Sequence, residues 1–262
     1  INTAYAAQNT TLTVTNGTTL VAGSDNSTGG VTASGSGGNT AIGTGDVDLV
    51  IGGTVNYTVS TSHSIDTLTT TNSGGTTNIF NITNDNTDTD TITFDEAVTN
   101  SDDNDPLTIN FNGSAVGQIL VFGSTVAGAA DDDFSLNVAA DQTIKVGLSG
   151  SGDLTFSTSI DGDGTLLLEA NLTNDEVIGA GTPLGVLNLN SHTLTNTDVA
   201  VRAVALTLNA NITSGALNIT GATTNSATAT VNTSSTNAVQ NYAAFNITGN
   251  TTTTIDSGNG VV

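Results

Sequence analysis

Short apolar pulses separated by turn residues recur along this chain, and their spacing leaves little choice of fold. Between Thr143 and Thr220 they read Thr143-Ile-Lys-Val, Leu154-Thr-Phe, Thr165-Leu-Leu-Leu, Val177-Ile, Val186-Leu-Asn-Leu, Val199-Ala-Val, Leu206-Thr-Leu and Leu217-Asn-Ile. Most follow one another at about nine to thirteen residues, with one shorter step into Leu206. Gly, Asn, Asp, Ser and Thr fill the gaps. Several pulses alternate apolar, polar, apolar, which places one set of side chains on a single face of a strand. Nothing repeats at the helical period. The pattern predicts an all-β protein of many short strands, nearly devoid of helix.

Two architectures accommodate such strands. Strands eight to twelve residues apart with turn signals suit β-sandwich domains. Coils of about twenty residues suit a parallel β-helix-like solenoid. Leu166, Leu187 and Leu206 are 21 and 19 residues apart, which favours the β-solenoid for residues 143–262. Residues 46–142 form a less regular β-rich region, read as further strands in a sandwich or an antiparallel cap. Its pulses include Val55-Asn-Tyr57-Thr-Val59, Ile79-Phe-Asn-Ile82, Leu107-Thr-Ile-Asn-Phe111 and Ile119-Leu-Val-Phe122. Residues 1–45 hold Thr11-Leu-Thr-Val14 and Thr19-Leu-Val21 around Asn16-Gly17, the strongest short-range hairpin signal, followed by a Gly/Ser-rich connection.

Composition narrows the function. The chain of 262 residues carries 24 acidic and two basic side chains, Lys145 and Arg202, for a formal net charge of −22. Such a surface repels phosphate backbones and anionic membranes, so neither nucleic acid nor a membrane surface is an expected partner. The hydrophobic fraction of 36%, held in periodic pulses, argues for a folded chain rather than a disordered acidic one. There is no Cys, which removes disulfides, thiolate metal sites and thiol catalysis together. No apolar run reaches the length of a membrane helix. The absence of Met reads as a processed or trimmed chain, and Ala4-Tyr-Ala6 resembles the small-residue step at a signal-peptidase site.

The constellations with chemical potential are acidic. Asp85, Asp88 and Asp90; Asp102, Asp103 and Asp105; Asp131, Asp132 and Asp133; and Asp161 with Asp163 crowd carboxylates into Asn/Gly-rich turns. Ca²⁺ takes six to eight oxygens, and such turns supply carboxylates and backbone carbonyls together. Calcium is therefore the expected cofactor, with the last three groups as candidate ligands. The alternative for each is a solvated turn. Catalysis is not expected. His63 and His192 are far apart in Ser/Thr contexts, no motif assigns paired roles, and two basic residues do not furnish a polysaccharide lyase. Lys145 reads as an outward strand residue or as one partner of an isopeptide bond with an Asn. Arg202 reads as a charge partner for one of the many carboxylates.

The phrasing Gly152-Asp-Leu-Thr-Phe156, Asp161-Gly-Asp-Gly-Thr-Leu-Leu-Leu168 and Ile178-Gly-Ala-Gly-Thr-Pro-Leu-Gly-Val-Leu-Asn-Leu189 resembles passenger domains of bacterial autotransporters, rickettsial surface antigens among them. The Thr/Asn/Ala/Gly bias with almost no Lys is similar to bacterial S-layer proteins. The resemblance covers about a third of the chain and includes neither a signal peptide nor a C-terminal membrane barrel. It implies a secreted, extracellular, non-enzymatic protein of the cell surface. The resulting expectation is a bacterial or archaeal surface layer, sheath or filament whose copies assemble as a homo-oligomer or polymer through strand edges. The alternative is an adhesin that binds a host protein or glycan.

Overall fold

The computed structural model describes residues 10–14, 18–22, 39–40, 47–51, 54–59, 62–70, 77–84, 89–100, 106–112, 117–127, 134–233, 244–248 and 252–256. Among these there is no helix. Every pairing between strands is parallel.

One coil is formed by Leu154–Phe156, Ser159–Asp161 and Thr165–Leu168, three strands too short to fold back on themselves. Each lies on its own face, and the next coil repeats the arrangement: Leu172 pairs with Leu154, Ile178 with Ile160, and Leu187 with Leu166. The protein is thus an all-β parallel solenoid with three faces, called first, second and third in chain order. The 14-residue strand Leu194–Thr207 traverses all three without a break. Its Leu194 pairs with Leu172 on the first face, Val201 with Ile178 on the second, and Leu206 with Leu187 on the third.

The same faces extend upstream. Leu49, Leu68, Val98, Val126 and Phe156 stack on the first. Val55, Phe80, Ile109, Leu136 and Ile160 stack on the second. Ile65, Phe94, Phe122, Val146 and Leu168 stack on the third. The sandwich or antiparallel cap expected for residues 46–142 is therefore replaced by parallel coils. The hairpin expected around Asn16-Gly17 is also overturned. Thr10–Val14 pairs with Val47–Ile51, and Thr18–Ala22 pairs with Thr54–Val59 and Asn39–Thr40, all parallel. A short turn between two strands serves a corner between faces as readily as a hairpin. The turn itself lies outside the described residues.

Alternation along each short strand points every second side chain inward. The resulting core includes Phe94 and Phe122, stacked with centroids 5.3 Å apart, and Phe156, which meets Phe122 edge-on at 5.6 Å. These rings join the third face to the first across the interior. Corner chemistry is set by close approach: Gly162 has φ +115°, and a Cβ there would lie 2.0 Å from the Val138 carbonyl oxygen in the coil before. Only glycine fits that corner.

Further along, the interior becomes more polar. On the first face the inward file runs Phe156, Asn174, Asn196, Ser214, Thr233, all fully buried or nearly so. On the third face Thr223 takes the inward place between Leu206 and Phe245, and its hydroxyl has no hydrogen-bond partner. An unpartnered buried hydroxyl keeps its desolvation penalty. Thr223→Val, which preserves shape, is expected to raise stability by about 1–2 kcal/mol. Phe122→Ala should lower it by about 3–5 kcal/mol. Urea unfolding midpoints measure both.

Candidate functional site

The outward side of the second face carries the most ordered polar array. Asn56, Asn81, Asn110 and Asn137 are in register on successive coils. Asn81 Nδ2 donates to Asn56 Oδ1 at 2.9 Å, Asn110 Nδ2 to Asn81 Oδ1 at 2.8 Å, and Asn137 Nδ2 to Asn110 Oδ1 at 2.8 Å. All three bonds point the same way along the solenoid, so each amide polarises the next. Beside this ladder, Thr108 and Ser135 share a hydroxyl bond of 3.1 Å. On the first face, Thr155, Thr173, Thr195 and Thr213 form an outward file of their own.

Asp161 takes the next place after Asn137. A carboxylate has no donor to continue the ladder. Asp161 instead accepts a hydrogen bond at 2.9 Å from the backbone N–H of Gly181, one coil on, through Oδ1. Asp163 is exposed in the following turn. A Cβ on Gly185 would meet the Asp163 carbonyl oxygen at 2.1 Å, so the turn lies directly against the next coil. Asp161 thus ends its strand, and Asp163 lies in the turn two residues on. Among the described residues no three His, Cys, Asp or Glu side chains come together. Asp102, Asp103, Asp105, Asp131, Asp132 and Asp133 lie outside the described residues, as do Asp85 and Asp88. Asp90 is buried, and its backbone N–H donates to Gln118 Oε1 at 3.0 Å.

The two basic side chains behave differently. Lys145 projects outward from Thr143–Val146 and lies 3.6 Å from Glu169, so its neighbour is a carboxylate rather than an Asn. With both groups near 30% exposed, such a pair contributes about 0–1 kcal/mol. Arg202 does not take the carboxylate partner expected of it. Its Nη1 donates to the Ala180 carbonyl oxygen at 3.1 Å, and it makes no ion pair among the described residues. His192 sits in the turn after Leu189, where its backbone N–H donates to the Leu189 carbonyl, on a different coil from the strand His63–Ile65.

Compared with known protein families, curated proteins and solved structures, the chain matches none of them.

The asparagine ladder has its signal in the sequence. Val55-Asn-Tyr57, Phe80-Asn-Ile82, Ile109-Asn-Phe111 and Leu136-Asn-Val138 repeat one apolar–Asn–apolar triplet. Removing a middle rung should show what the ladder contributes. Asn110→Ala deletes one acceptor and one donor and is expected to cost about 1–3 kcal/mol. Asn112→Ala, at an exposed position just beyond the same strand, should cost under about 0.5 kcal/mol. Equal effects in chemical denaturation would count against a ladder that matters.

Proposed function

We propose that this chain is a secreted structural protein of a bacterial or archaeal cell-surface layer, sheath or filament, and that copies assemble through β-strand edges. The observation that carries the reading is the unbroken parallel ladder, which makes strand addition the one operation this fold repeats. Thr253–Asp256 pairs on one side with Ala229–Thr233, and among the described residues no further strand is in register with its Thr253, Thr254 and Ile255. Thr10–Val14, on the same first face, likewise pairs on one side with Val47–Ile51. Unpaired N–H and C=O groups along a strand invite another strand. The segment Thr10–Val14 of one copy, laid on Thr253–Asp256 of another, continues the first face in the same parallel sense. Within the chain the same segment is already in parallel register with a neighbour, Thr10 pairing with Val47, Leu12 with Leu49 and Val14 with Ile51.

The reading is non-enzymatic. Regular files of Asn and Thr suit a stiff, hydrated wall better than a cleft. The charge of −22 opposes association, so salt and especially Ca²⁺ at the acidic turns should strengthen it. Sedimentation and negative-stain imaging test this, with and without Ca²⁺, on the full chain and on one lacking residues 1–22. End-to-end polymers are expected that grow with Ca²⁺ and fail on truncation. A monomer under every condition overturns the reading in favour of an adhesin, and unchanged polymers after truncation refute the N-terminal strand as the joint. Adding EDTA should lower the melting temperature by several degrees; an unchanged value, with no calcium retained after dialysis, removes the cofactor.

A further inference from the structure

The one guanidinium in this chain stands in a file that complements itself. Ile160 pairs with Ile178 and Ile178 with Val201 on the second face. One position on, Asp161, Gly179 and Arg202 therefore occupy a single outward file, continuing the asparagine ladder. Coils are about 4.8 Å apart, so Asp161 and Arg202 lie about 10 Å apart with a glycine level between them. They form no ion pair. Asp161 commits Oδ1 to Gly181 N–H, and Arg202 commits Nη1 to Ala180 O. A guanidinium has five N–H donors, so most of its capacity is unspent.

The surroundings make this spot protrude. Arg202 is exposed, and so is Val204, at 48%, two residues on along the same outward side of the strand. A Cβ on Gly179 would come within 3.1 Å of Arg202 Cβ, and one on Gly221 within 3.4 Å of Val204 Cγ1. Glycines thus lie beside both side chains, in the coil before and the coil after.

We propose that two copies of this chain pair face to face through this file, with Arg202 of each copy against Asp161 of the other. A two-fold axis between the faces, parallel to the strands and level with Gly179, brings this about. It exchanges the levels of Asp161 and Arg202, giving two reciprocal ion pairs and antiparallel solenoids. This is the reciprocity an isologous interface requires. Charge selects the register. With 24 acidic and two basic residues, few approaches of two copies bring opposite charges together. Lys145 already has Glu169 beside it, whereas Arg202 has no carboxylate within bonding reach among the described residues.

The pairing uses a side face and so goes beyond strand-edge assembly. Charge exchange tests it by sedimentation velocity of the full chain across concentration. Arg202→Asp and Asp161→Arg should each weaken pairing by at least about tenfold, and the double exchange should restore it to within about threefold. Asp161→Asn keeps an acceptor for Gly181 N–H while removing the charge; it should weaken pairing with an unchanged melting curve, which covers the case where Asp161→Arg disturbs the corner. Pairing insensitive to Arg202→Asp, no recovery in a folded double variant, or no pairs at any concentration overturns the proposal. Imaging separates it from end-to-end growth. Deleting residues 1–22 should end growth and leave pairs; Arg202→Asp should end pairs and leave growth.

Discussion

Each residue in this solenoid lies on its equivalent in the coil before, about 4.8 Å away, and nearly everything else follows from that stacking. A parallel in-register ladder sets like positions against like. Apolar residues can stack indefinitely, as Ile92, Leu120, Ile144, Leu166, Leu187 and Leu206 do on the third face. Amides can stack because each offers a donor and an acceptor. Like charges directly opposite one another repel. The low charged fraction of 10% is therefore a demand of the fold, and among the described residues carboxylates such as Asp141, Asp163 and Glu176 fall in turns between strands.

That constraint explains which parts of the structure were legible in advance. The steps of 21 and 19 residues through Leu166, Leu187 and Leu206 are true coil lengths, since these residues pair directly. Upstream, Thr70 bonds Asn100 across 30 residues and Asn110 bonds Asn81 across 29, against 18 between Asn171 and Asp153. The strands keep their register across these unequal spacings, so the period disappears from the sequence while remaining in the structure. Asn16-Gly17 misled for a related reason. Such a dipeptide signals a turn in general, and whether the next strand pairs back or moves to another face depends on coils that arrive later.

The candidate site divides in the same way. The asparagine triplets were readable because one strand suffices to show the residue between two apolar neighbours. The inward polar file was not. In Leu172-Thr-Asn174 the Asn looks like the start of a turn, yet it is buried, accepts from Thr158 N–H at 3.4 Å and donates to Asn196 Oδ1 at 3.0 Å. Asn196 Nδ2 and Ser214 Oγ, in register on adjacent coils, then have no partner. Buried polar groups of this kind usually hold an ordered water, and each subtracts from local stability where none is present. The later coils gain less from burial than the Phe-rich earlier ones, so they are the end most open to adjustment.

Stacking also governs how copies of the molecule can meet. Along the solenoid axis, contact between molecules repeats the contact between coils, so any strand with the right alternation fits and specificity is low. Across a face, by contrast, files meet files, and a mostly acidic protein has few attractive registers. A file that contains both signs, with glycine between them, defines one register and rejects its neighbours by repulsion. The ladder that forbids charge within the stack thus gives an isolated Arg202 more selective value than it would have on a mixed surface. The axial growth and lateral pairing proposed above draw on different parts of one design, the first on backbone edges and the second on the single file where the asparagine ladder gives way to charge.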